Sequence, residues 1–146
     1  MHDALTPPFD TKIAVLVRDD LAAWQRLNVT AFLASGITAA SPHLVGDPYA
    51  DADGTPYLAM LGMPVLVFAA DAEVLRAARE RALRRELPVA VYTADMFATG
   101  HDEANRAAVA AVAGDALDLV GLALHGPKNA VDKVTKGARL HPATIG

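Results

Sequence analysis

The chain alternates short apolar runs with stretches of helical period. Residues 12–18, KIAVLVR, form a β-branched apolar run ending on a charge, the pattern of a buried strand. After Asp19-Asp20, the segment LAAWQRLNVTAFLASG puts Leu21, Trp24, Asn28, Ala31 and Ser35 on one helical face, with Leu27 and Ala34 beside them. Asp20 is read as the N-cap and Gly36 as the stop. A turn-rich stretch, SPHLVGDPYADADGTPY, carries Asp53-Gly54, a signal for a tight hairpin or loop. MPVLVFA (63–69) is the second strand, and Asp71 opens a helix whose apolar stripe is Val74, Leu75, Ala78, Ala82 and Leu83. Pro88 breaks that helix, and VAVYTA (89–94) makes the third strand. The Ala-rich region is helical from about Glu103, LDLVGLAL (117–124) is the fourth strand, and a short helix follows Gly126-Pro127 to near Gly137. This order predicts one domain over 1–146, a three-layer α/β/α sandwich around a mixed, roughly four-stranded sheet.

Composition narrows the chemistry. With 146 residues, 53% hydrophobic, the chain is large and apolar enough for one core. It has no cysteine, which excludes disulfides, thiolate nucleophiles and cysteine-held metals. The net charge of −4 disfavours tRNA as a partner, because binding to a phosphate backbone rests on a basic surface. That average hides an asymmetry. Residues 1–70 hold three basic and seven acidic side chains, whereas 71–146 hold ten of each. Arg76, Arg79, Arg81, Arg84 and Arg85, offset by Glu80, form a basic helix segment that reads as a phosphate-facing patch or as a solvated face. The opening MHDALTPPFDT lacks the basic start and apolar core of a leader, and no stretch reads as a membrane span, so a cytoplasmic location is expected.

Most of the familiar catalytic patterns are missing. His2, His43, His101, His125 and His141 never recur at metal-ligand spacing, so no metal and no cofactor is expected. Asp47, Asp51 and Asp53 loosely suggest a calcium loop but lack its bidentate Glu, and they read better as turn residues. The two serines, Ser35 and Ser41, lie in no nucleophile elbow. Two features carry more. Asn28 and Thr30 interrupt an apolar helix beside Trp24, and a buried Asn needs partners, either as a structural bridge or in a pocket wall. Asp95 follows the third strand with Thr99 four residues on, at the strand end where α/β proteins place ligands. There the carboxylate and hydroxyl either hold a water or substrate carbonyl, or Asp95 simply caps a helix.

KIAVLVRDDL at 12–21, PVLVF with its helix, PVAVYTAD, and the closing GPKNAVDKVTKGARL at 126–140 together resemble type II peptidyl-tRNA hydrolases. The chain is identified still more closely with a bacterial family, domain of unknown function 2000, through WQRLNVTAFLASG at 24–36. The resemblance implies the hydrolase-like α/β fold. It also implies where the hydrolase's polar residues would fall: the essential Lys at Leu27, with Gln25 and Arg26 beside it, the Gln at Ala31 and the His at about Ala34. An aliphatic side chain moves no proton, and Arg is a poor proton donor. The hydrolase's Asp-Ala-Gly-x-Thr becomes Asp95-Met96-Phe97-Ala98-Thr99, keeping the Asp and Thr and enlarging the small residues.

The expected function is therefore binding of a small molecule in a partly apolar cleft, with Trp24, Arg26, Asn28 and Phe97 as ligand contacts. The alternative is a hydrolase of peptidyl-tRNA or a related ester, with Asp95 and Thr99 as catalytic residues and Arg26, Lys12 or Lys133 supplying positive charge. The Ala-rich 104–113 segment adds the expectation of a homo-oligomer.

Overall fold

A computed structural model of the protein describes residues 9–141; the leader reading of the first residues and His2 lie outside them. The main sheet has five strands: β1 (Thr11–Arg18), β4 (Val65–Ala70), β5 (Val89–Thr93), β6 (Leu119–Pro127) and β7 (Arg139–Leu140). Their order is β5-β6-β1-β4-β7. β1 pairs parallel with β4 and antiparallel with β6, so the sheet is mixed. The four-strand expectation is corrected by β7, whose two residues pair with Phe68 and Ala69. Two residues are too few to carry any alternation.

Four helices flank the sheet: α1 (Ala23–Ala40), α2 (Ala72–Arg84), α3 (Asp102–Ala110) and α4 (Lys128–Val134). Central β1 is covered on both faces, which explains its unbroken apolar run. Ile13, Val15 and Val17 pack with Val29, Leu33 and Ile37 of α1, while Ala14 and Leu16 pack with Leu75, Ala78 and Ala82 of α2 and with Val131 and Val134 of α4. α1, sheet, and α2 with α4 are the three layers.

Local chemistry fixes most boundaries. Asp71 caps α2 by accepting a hydrogen bond from the Val74 backbone N–H at 2.8 Å. That helix ends with Glu86 in the left-handed region (φ 56°), where Leu87 N–H reaches back to the Ala82 carbonyl, and Pro88 then forbids continuation. α1 departs from expectation at both ends. Asp20 does not cap it: its carboxylate binds Arg18 at 2.7 Å, and Gln25 Oε1 instead accepts from the Ala22 N–H at 3.0 Å. Gly36 does not stop it either, since it stands where α1 crosses β5 and a Cβ there would meet the Ala90 Cβ at 3.2 Å.

Between α1 and β4 the chain forms a projecting ribbon. Its strands are β2 (Tyr49–Ala50) and β3 (Pro56–Tyr57), turned at Gly54 (φ 82°). Asp51 braces the turn, Oδ1 accepting from the Asp53 and Thr55 N–H groups at 2.9 and 3.0 Å and Oδ2 from the Tyr57 hydroxyl at 2.7 Å. The hydrogen bond from Tyr57, the largest contribution, holds the Asp51 carboxyl below the usual range. Where the ribbon joins the body, Gly46 N–H bonds the Met60 carbonyl and Gly62 N–H the Leu44 carbonyl, both at 2.8 Å.

Candidate functional site

β5 is an edge strand, and the space beyond it holds an open groove of about 760 Å³. Its walls come from three directions. α1 supplies Trp24, Asn28 and Phe32, spaced four residues apart and hence on one face. The end of β5 and the single 3₁₀ turn after it, Ala94–Ala98, supply Tyr92, Met96 and Phe97. Thr99 and α3 supply the far side with His101, Asp102, Asn105 and Arg106.

Four aromatic rings form a continuous strip on one side. Trp24 meets Phe97 edge-on with centroids 6.0 Å apart, Phe97 meets Tyr92 at 5.2 Å, and Tyr92 meets Phe32 edge-on at 5.8 Å. Tyr92 is buried, but Trp24 and Phe32 remain 63% and 52% exposed. Burial pushes the Tyr92 hydroxyl above the ordinary tyrosine pKa, and a hydrogen bond from the Asn28 side chain draws it part of the way back.

The opposite wall is polar. The Thr99 hydroxyl donates to the Met96 carbonyl at 2.9 Å and lies against the Asn105 side-chain amide. The atom facing it is Asn105 Oδ1, so the single hydroxyl proton is shared between two acceptors, the Met96 carbonyl and the Asn105 carboxamide oxygen. His101 caps α3, its Nδ1 accepting from the Ala104 N–H at 3.2 Å, which leaves the ring proton on Nε2. Arg106 and Asp102 form an ion pair at 2.5 Å across one helical turn.

Of the residues expected from sequence, the structure brings Trp24, Asn28, Phe97 and Thr99 onto this one groove. Asp95 and Arg26 are not part of its lining. Asp95 is exposed in the turn after β5 and caps no helix, the caps flanking it being Thr93 and His101. Arg26 is a brace: its guanidinium donates to the Leu21 and Asp19 carbonyls at 3.0 and 2.7 Å and reaches His141 Nε2 at 3.3 Å. Thr30, the second polar residue inside α1, bonds back to the Arg26 carbonyl at 2.7 Å. Leu27, where the sequence resemblance would place the hydrolase Lys, is 73% exposed. Lys12 is ion-paired with Asp132 at 2.7 Å.

Sequence reasoning missed Phe32, Tyr92, Asn105 and Arg106. Phe32 was legible in principle, eight residues from Trp24 on the same face. Tyr92 was concealed by the strand pattern around it. Asn105 and Arg106 follow only from where α3 packs. Among the described residues there is no group of three or more His, Asp or Glu that could hold a metal ion, and no helix is long and apolar enough to cross a membrane.

No curated protein matches this chain. A solved structure described as a protein of unknown function from Agrobacterium tumefaciens strain C58 is similar to it with a TM-score of 0.90 and 49% sequence identity, over 92% of this chain and 99% of that one. The family described as protein of unknown function (DUF2000) matches residues 11–142, and with nearly the whole chain matched, the protein belongs to that family.

Proposed function

We propose that the groove between α1 and α3 is a binding site for a small, partly apolar molecule. The observation that carries this reading is the pairing of walls: a strip of four aromatic rings and a polar wall, whose two charged side chains pair with each other, line one groove of about 760 Å³. That volume and mixture suit a small-ligand site, where apolar walls supply affinity and a few polar groups fix orientation. Trp24 and Phe32 expose ring area that a ligand would cover.

The hydrolase alternative asks Asp95 and Thr99 to share one water. Asp95 is outside the groove lining, the Thr99 hydroxyl is engaged by the Met96 carbonyl and the Asn105 side-chain oxygen, and an exposed leucine stands where the resemblance would put the Lys. Binding is therefore the function that the geometry supports best, on a scaffold whose sequence resembles the type II peptidyl-tRNA hydrolases.

The test is a fragment screen by two-dimensional NMR. Binders should shift resonances of Trp24, Tyr92, Phe97 and Asn105 together, and Phe97→Ala should weaken them at least about tenfold through the loss of a buried aromatic contact. Binders that cluster elsewhere overturn the proposal. Turnover of N-blocked aminoacyl-tRNA that Asp95→Ala abolishes would replace it with the hydrolase reading.

A further inference from the structure

The chemistry of the groove also bears on which class of molecule it takes, an inference that rests on the binding reading above. Charge comes first. The titratable side chains facing the groove are Tyr92 from β5 and His101, Asp102 and Arg106 from α3; α1 contributes none. Asp102 and Arg106 neutralise one another in their ion pair, and His101 Nδ1 is committed to capping α3. An ionic ligand leaving water would find no unpaired counter-charge here, and stripping water from an uncompensated ion is costly.

The polar edges come next. Asn28 on α1 and Asn105 on α3 put one carboxamide on each wall. A carboxamide carries a donor and an acceptor side by side in one plane. Its complement is a planar edge with the same pair in reverse, the match that lets Asn bind adenine through two hydrogen bonds.

The ring faces complete the picture. Trp24 and Phe32 stand four residues before and after Asn28, each about 6 Å along the helix axis from it. Both side chains keep more than half of their surface exposed, so ring area on each is open to a ligand. A flat molecule hydrogen-bonded to Asn28 would thus lie against Trp24 or Phe32, and stacking of this kind tolerates many planar heterocycles.

We propose that the groove binds an uncharged, planar nitrogen heterocycle with adjacent donor and acceptor on one edge, of the nucleobase or heteroaromatic-amide type, as a free small molecule. Asn28 reads the edge, Asn105 closes over the opposite side, and Trp24 and Phe32 supply the stacking faces.

Trp24 is the only tryptophan in the chain, so its fluorescence reports directly on the groove. The full chain would be titrated with adenosine, guanosine, uridine and nicotinamide as uncharged probes, choline as a cation, benzoate as an anion, and hexa-adenylate as a single strand. A saturable change with at least one uncharged probe is expected. Asn28→Asp, which keeps the shape but removes the amide donor, should weaken it at least tenfold while thermal melting shows the variant folded. Should Asn28→Asp fail to fold, Asn105→Asp serves in its place. Saturation by choline or benzoate alone overturns the ligand class and leaves the binding site standing. Hexa-adenylate binding more than tenfold tighter than adenosine overturns the free-molecule assignment in favour of a strand. Silence from every probe, or a Trp24 signal that changes only with protein concentration, removes the class and the small-molecule site together, the latter because a second chain then fills the groove.

Discussion

Asn28 of α1 and Tyr92 of edge strand β5 line the same groove, one from the helix and one from the sheet. Burial raises the Tyr92 pKa and Asn28 opposes that rise. In Asn28→Ala the opposition is lost, so Tyr92 should titrate at still higher pH than in the parent protein. Because the folded pKa is raised, the Tyr92 contribution to stability is present below pH 10 and is lost as pH rises through the folded value. Alkaline titration by tyrosinate absorbance, with Tyr49→Phe and Tyr57→Phe in the background, isolates the shift. An unchanged Tyr92 titration would show that Asn28 does not touch the hydroxyl.

Gly121 on β6 sets how closely α1 packs on the sheet. A Cβ there would stand 2.5 Å from Val29 Cγ1, 2.9 Å from Leu33 Cδ1 and 3.4 Å from the Leu16 carbonyl oxygen. Gly121→Ala should therefore destabilise the protein by about 1–3 kcal/mol, the usual cost of overpacking. It should also lift α1 from β5 and weaken any groove ligand. Gly100→Ala, where a Cβ meets nothing within 4 Å, is the control and should be near neutral in the same denaturation experiment.

Thr93 closes β5 beside a bulge in β6, where the pairing steps from Tyr92–Gly121 to Thr93–Leu119 and passes over Val120. Its hydroxyl is buried and has no hydrogen-bond partner among the described residues. Thr93→Val removes the stranded group while keeping its shape, and should raise stability by about 1 kcal/mol. The urea midpoint checks this, and a clear loss of stability would mean that the hydroxyl is satisfied after all.

At the other end of the sheet the His43 and His125 rings meet edge-on at 6.4 Å, and His125 also contacts the Thr11 hydroxyl at 2.9 Å. Burial, then the neighbouring His43, lowers the His125 pKa below 6.5. The folded state thus binds this proton less readily than the unfolded chain, so stability should decline as pH falls from about 6.5 through the folded pKa. His43→Gln should raise the His125 pKa without restoring it fully, because burial is the larger cause. Imidazole NMR titration measures this, and a His125 pKa unmoved by the substitution would dismiss the coupling.

Sequence carried the strands, the Asp71 cap and the Pro88 stop because each rests on a local rule. The facing of α1 was not legible. That helix is apolar on nearly every side, so its period does not tell which stripe meets the sheet. Sequence reasoning singled out the face holding Trp24 and Asn28 and did not pick out Val29, Leu33 and Ile37, the residues buried against β1. The groove residues on α3 come together only through tertiary packing across an edge strand. Asp95 followed from the rule of strand ends, but the rule gives no side-chain direction, and a single 3₁₀ turn intervenes.

The ribbon between Gly46 and Met60 leaves and re-enters the body at one point, its two ends tied to each other by main-chain hydrogen bonds. Deleting the span beyond that point would create little new chain-closure cost, since the ends to be joined already touch. Adding residues at the Gly54 turn would be borne equally well, because a loop tip is where insertions are tolerated. The sheet and the groove are therefore insulated from the length of this segment, and genetic variation in it can accumulate without reaching either.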